Sequence, residues 1–117
     1  MATATIEQAL NGLVDLVNQG KPMDAFDTYY HPNLEKTDLD GVTVTGLAEN
    51  YRVGEELLRK ITAVRTFAHR GTLVVGNRSF VVWELDFDHA DNGRVNVTEV
   101  AIQDWQDGKI IRERFIA

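Results

Sequence analysis

The chain has no cysteine, only two prolines and one serine, Ser79. Without cysteine there is no disulfide, no thiolate metal site and no thiol nucleophile. That usage fits a reducing compartment, and a cytoplasmic location is expected. Ser79 lacks the strand-turn-helix setting of a nucleophilic serine. Basic residues are scarce, 12 Lys and Arg against 18 Asp and Glu, and none cluster. A net charge of −6 and a pI near 4.9 argue against nucleic acid or an anionic membrane as partner. No apolar run approaches the length of a membrane span, and no basic segment leads into an apolar one at the start, so no signal peptide is expected. The glycines form no phosphate loop or dinucleotide fingerprint. His31, His69 and His89 stand apart, none in a metal-ligand spacing, so neither metal nor cofactor is expected. His69 reads as a packing residue on a strand, and His31 and His89 as turn residues. Repeats, low-complexity segments and linkers are absent. With 117 residues, 44% of them hydrophobic, residues 1–117 are predicted to form one domain with a real core.

What is present is organised around residues 94–116. Two β-rich runs, 94–105 and 109–116, flank Asp107-Gly108, a strong hairpin signal because the turn needs positive φ. Gly76-Asn77 and Asn92-Gly93 mark two further turns, which predicts a four-strand antiparallel meander over 62–75, 78–88, 94–105 and 109–116. Ahead of it lie three helices. The first covers 5–19, with Ile6, Ala9, Leu10, Leu13, Leu16 and Val17 on one stripe. The second begins at Pro22 and runs to about Tyr30, closed by His31-Pro32. The third follows Gly46 and buries Leu47, Tyr51, Leu57, Leu58 and Ile61. Two short strands, 34–37 and 42–45, are expected between the second and third. Helices followed by a long meander predict an α+β domain, a curved antiparallel sheet wrapped around N-terminal helices with a conical cavity between them.

Side-chain alternation sorts the strand residues into faces. Val95, Val97, Glu99, Ala101, Gln103 and Trp105 share one, and Ile111, Glu113 and Phe115 another. On the second long strand Val81, Trp83, Leu85 and Phe87 oppose Phe80, Val82, Glu84 and Asp86. Glu99 and Glu113 therefore travel with apolar neighbours, where an unpaired charge costs several kcal/mol (about 2–7 even for a neutral polar group). Either the two carboxyls line an apolar pocket with raised pKa values, or Glu113 pairs with an arginine and Glu99 faces water. Tyr29 and Tyr30 either hold a ligand through their hydroxyls or plug the mouth of the core. The run 49–52, Tyr51 within it, either lines the cavity or forms a solvated helix face.

Several stretches resemble SnoaL-like proteins of the nuclear-transport-factor-2-like superfamily, whose cystatin-like fold is cone-shaped. They are Tyr29-Tyr30-His31-Pro32-Asn33 after the second helix, the Gly46 helix start, and the segment from Trp105-Gln106-Asp107-Gly108-Lys109 to Phe115. The resemblance spans nearly the whole chain. It implies a small-molecule pocket and a homodimer packed through the outer face of the sheet. The superfamily's isomerase pattern would place its general base at Asp38, although Thr37 or Asp40 could take that place and leave Asp38 a turn former. The two oxyanion donors of that pattern fall at about Leu13 and at Ala101, so steroid isomerase activity is not expected. The same register puts Glu99, Gln103, Glu113 and Phe115 on the pocket face.

Three functions follow. The first is a cofactor-free acid–base enzyme of isomerase, cyclase or dehydratase type acting on a small, largely apolar molecule. In it Asp38 is the base, and Glu99 or Glu113 the neutral acid. The second is a non-catalytic binding module in which Tyr30, Trp83, Trp105 and Phe115 supply the contact surface. The third is a dimeric interaction domain whose cone is packed solid.

Overall fold

Helix α1, Thr3–Asn18, opens the computed structural model, which describes residues 3–117. Its stripe of Ile6, Leu10, Leu13 and Val14 is buried. The helix stops at Gly20, which holds φ +76°. There the Lys21 N–H reaches Leu16 O at 2.8 Å and the Gly20 N–H reaches Val17 O at 3.0 Å, so the last carbonyls keep partners. Pro22 starts α2, Pro22–Tyr29, where its missing N–H costs nothing.

The chain turns directly into β1, Tyr30–Thr37, so Tyr30 and His31-Pro32 belong to a strand that begins earlier than 34. A tight turn over 38–42 leads to β2, Thr43–Thr45, and Gly46, at φ +93°, releases α3, Leu47–Lys60. Asn50 is buried, and its amide donates to Val44 O at 3.0 Å and Gly46 O at 2.8 Å, fixing β2 to α3. Glu49, Arg52 and Glu56 form the solvated face of that helix. Gly54 has a packing reason: a Cβ there would stand 3.3 Å from the Phe26 ring and 3.4 Å from Met23, so the glycine lets α2 and α3 approach.

Four long strands follow: β3 Ile61–Val75, β4 Arg78–His89, β5 Gly93–Gln106 and β6 Lys109–Ile116. They pair as the antiparallel meander the turn signals predict, with both Asp107 (φ 54°) and Gly108 (φ 79°) left-handed in the last turn. The full order is β2-β1-β6-β5-β4-β3. Because β1 runs parallel to β6, the sheet is mixed rather than wholly antiparallel. Parallel neighbours are not joined by a hairpin, so no turn signal announces them. Three register shifts between β3 and β4 bend the sheet's end around the helices.

A further irregularity lies between Asp104 and Trp105, opposite β6. It takes Ile111 out of register, so Ile110 turns inward and is fully buried, whereas simple alternation had placed it outside. Beyond it Glu113 and Phe115 also face inward. On β4 the helix-facing set is Val81, Trp83, Leu85 and Phe87, all buried.

Candidate functional site

The inner face of the sheet carries a polar row across four strands. Lys36 of β1 stands opposite Glu113 of β6, Glu113 opposite Gln103 of β5, and Gln103 opposite Ser79 of β4. Glu113, Gln103 and Ser79 are all buried. The Trp105 indole N–H donates to Ser79 Oγ at 2.8 Å, and Ser79 Oγ–H donates to Gln103 Oε1 at 2.7 Å. Gln103 Nε2–H then donates to Glu113 Oε2 at 2.8 Å, and the Tyr30 hydroxyl donates to the same oxygen at 2.8 Å. The indole can only donate, so Ser79 Oγ accepts there and its own O–H is free to supply Gln103 Oε1.

Two donors meet on Oε2, so the proton of a neutral Glu113 sits on Oε1. That oxygen has no hydrogen-bond partner among the described residues. Among the described residues no buried side-chain oxygen or nitrogen lacks one, so Oε1 must open onto the space inside the cone. Burial raises the Glu113 pKa and outweighs Lys36 and the Gln103 and Tyr30 hydrogen bonds, which favour the carboxylate. Tyr30 is held well above its ordinary pKa, by burial first and by Glu113 second, so it stays a donor.

The cone encloses a cavity of about 340 Å³. Its walls are mostly apolar: Leu13, Val17, Met23 and Phe26 from the first two helices, Gly54, Leu57 and Leu58 from α3, and Trp83, Leu85, Val97 and Phe115 from the sheet. Glu99 lines it half-buried, its pKa pushed up to about 7 by burial and then by the Asp38 carboxylate, with Lys36 acting in the opposite sense. Asp38 lies exposed at the mouth, its Oδ1 accepting the Leu39 N–H at 3.0 Å. The Lys36 ammonium stands 5.2 Å from the Phe115 ring centre and 5.8 Å from that of Phe26.

The structure thus brings Asp38, Glu99, Glu113, Tyr30, Trp83, Gln103 and Phe115 to one cavity. Two residues singled out from sequence lie elsewhere. Tyr51 sits behind Phe26, 6.4 Å between ring centres, and borders a shallow surface cleft with Asp27 and Pro32, because it meets α2 before it reaches the cavity. Trp105 is sealed in the core beyond Gln103, its N–H committed to Ser79. Among the described residues no arginine pairs with Glu113. Arg112 faces outward to Glu35 at 3.6 Å. Leu13 lines the cavity and Ala101 is fully buried on β5, so neither position offers a donor.

Lys36 and the bridging role of Ser79 escaped the sequence reading. The alternation Leu34, Lys36, Asp38 carries the signal for Lys36, once Leu34 is known to be fully buried. Among the described residues no group of three or more His, Asp or Glu side chains is arranged to hold a metal ion. No helix among them is long and apolar enough to cross a membrane.

A curved sheet closed by three helices over a cavity is the cone-shaped fold seen in nuclear-transport-factor-2-like proteins of known structure. The chain belongs to the SnoaL-like domain family, whose profile matches residues 3–117. Sequence comparison with curated proteins found no match. Among solved structures, a SnoaL-like protein of Mesorhizobium loti is similar, with a TM-score of 0.86 at 21% identity over 96% of this chain and 98% of that one. A nuclear-transport-factor-2-like protein of unknown function from Burkholderia pseudomallei gives 0.79 at 14% identity over 98% and 90%. A protein of ketosteroid isomerase-like fold from Catenulispora acidiphila, in complex with trimethylamine, gives 0.68 at 12% identity over 81% and 74%. At these identities the likeness is one of fold, which many chemistries share.

Proposed function

We propose that the protein is a cofactor-independent acid–base enzyme, of isomerase, cyclase or dehydratase type, acting on a small, largely apolar molecule held in the cone. One observation carries this reading: a half-buried carboxyl, Glu99, poised near pH 7 in the same apolar cavity as a second, more deeply buried acid whose free oxygen opens inward. A base is most effective when its pKa lies close to the working pH. Glu99 takes the proton, Glu113 Oε1–H donates to the oxygen that gains charge, and Asp38 at the mouth keeps the Glu99 pKa high. This moves the base from Asp38, the sequence expectation, to Glu99, because Asp38 is solvated.

The test is hydrogen–deuterium exchange at the α-carbon of 2-tetralone in D2O, followed by NMR. Exchange above the buffer rate, reduced at least tenfold in Glu99→Gln, is expected. Exchange at the buffer rate, or unchanged in the variant, would overturn the proposal. The apolar lining of the cavity supports the second reading, a binding module without turnover, and saturable binding of 2-tetralone with no exchange would select it.

The homodimer expectation has its own support. Opposite the cavity, Leu73, Phe80 and Ile102 fall in one cross-strand row and Val82, Val100 and Ile116 in the next. Ion pairs flank these rows, Arg78 with Asp104 at 2.7 Å and Arg70 with Glu84 at 2.6 Å. An apolar patch with a polar rim suits association of two copies through this face, and sedimentation equilibrium of wild type against Ile102→Lys tests it.

A further inference from the structure

Among the described residues Lys36 is the one cation lining the cavity, and it has no assigned task. Lys36 stands between Phe26 and Phe115 and faces the cavity beside Glu113, yet it makes no ion pair and no side-chain hydrogen bond among the described residues. On the outer face Arg65, Arg70, Arg78, Arg94 and Arg112 find carboxylates. Lys36 is half-buried on the inner face instead, and among the described residues its three N–H donors are unused.

We propose that Lys36 determines which ligand the cone accepts: a small, mainly apolar molecule carrying one anionic oxygen group, such as a carboxylate, seated with its anion on the Lys36 ammonium and its apolar body against Trp83, Leu85 and Val97. Charge balance inside the mostly apolar cavity favours an anion. Glu113 is buried, which favours its neutral form, and Asp38 lies at the solvated mouth. When a ligand fills the cone, water leaves the ammonium. A neutral ligand then leaves the cation desolvated and unpaired, which weakens its binding relative to that of an anion. The two aromatic faces offset part of that loss and hold the ammonium in place. An anionic ligand removes the loss by pairing. The ammonium is a point charge on a flexible stem, so it accepts anions of varied geometry.

This inference rests on the reading of the cone as a ligand site, and the experiment separates the two. Binding of 2-naphthoate and its neutral isostere 2-naphthamide is measured by isothermal titration calorimetry at pH 7 in 150 mM salt, with wild type, Lys36→Met and Lys36→Arg. The expected result is naphthoate bound at least tenfold more tightly than the amide by wild type, a ratio near one for Lys36→Met through loss of the anion alone, and a preference retained by Lys36→Arg. Equal binding of both probes by wild type, or a ratio unchanged in Lys36→Met, overturns the inference and leaves the ligand site standing. Binding of neither probe overturns both.

Discussion

Replacing Glu99 by glutamine isolates the carboxyl on which the proposed chemistry depends. Its pKa is about 7 in the folded protein against a reference of 4.5. A gap of about 2.5 pH units corresponds to about 3 kcal/mol. The group is only half-buried, so solvent screening reduces this to about 2 kcal/mol. The sign is set by which state holds the proton. Between pH 4.5 and 7 the folded protein retains a proton that the unfolded chain has released. The contribution is therefore complete below about pH 4.5 and is lost as pH rises through 7. Glu99→Gln lacks it, while Glu113, whose pKa is raised in the same direction, is present in both proteins. Urea unfolding from pH 5.5, clear of the pI near 4.9, to pH 8 samples the upper part of the window. There the wild type should lose about 1 kcal/mol more than the variant, a relative midpoint shift of about 0.5 M. The side-chain carboxyl carbon resonance of Glu99 should titrate near pH 7. Parallel stability profiles, or a titration midpoint below pH 5, would refute the claim that this group is desolvated by the cavity.

Three further outcomes follow from the polar row and the cavity wall. Glu113→Ala strips the acceptor from both the Tyr30 hydroxyl and the Gln103 amide, at about 1–3 kcal/mol each, whereas Glu113→Gln keeps an acceptor in place and should unfold within about 1 kcal/mol of wild type at pH 6. Equal loss from the two variants in urea titrations would contradict the hydrogen-bond assignment. Ser79→Ala orphans the Trp105 indole N–H and Gln103 Oε1 together, so it should cost about 2 kcal/mol or more and alter the near-ultraviolet dichroism of Trp105. Gly54→Leu builds into the cavity beside Phe26 and Met23, and should weaken 2-naphthoate at least tenfold by calorimetry while thermal unfolding stays cooperative.

Much of this architecture was legible because its signals are local. Asp107-Gly108 announces its hairpin, Gly20 and Pro22 punctuate the first two helices, and strict alternation places Glu99 on the same face as Val97 and Ala101. What was hidden depends on contacts distant in sequence. The parallel pairing of β1 with β6 joins residues about 80 positions apart with no turn between them, yet it sets Lys36 beside Glu113. The irregularity at Asp104 inverts Ile110, and no residue there advertises it. Ser79 reads as an isolated serine until Trp105 and Gln103 are brought to either side of it. Tyr51 shows the converse failure: helical periodicity puts it on the buried side, but only the position of Phe26 decides that it stops short of the cavity.

The two proposals are linked through Lys36. The ammonium lowers the pKa of both Glu99 and Glu113, acting against burial. An anion paired with Lys36 cancels that influence in a site that already contains Asp38. Glu99 on β5 and Glu113 on β6 are then driven further toward their protonated forms. The Tyr30 hydroxyl, at the start of β1, stays protonated throughout and continues to donate to Glu113. Since Glu99 titrates near 7, binding of an anion at pH 7 must take up part of a proton, and by reciprocity anion affinity must rise as pH falls through 7. Calorimetric titration of 2-naphthoate in buffers of different ionisation enthalpy measures that uptake directly. A fraction of one proton should be absorbed at pH 7, and none in Glu99→Gln. Uptake that persists in the variant would place the titrating group elsewhere, and no uptake in wild type would separate the cation from the two acids.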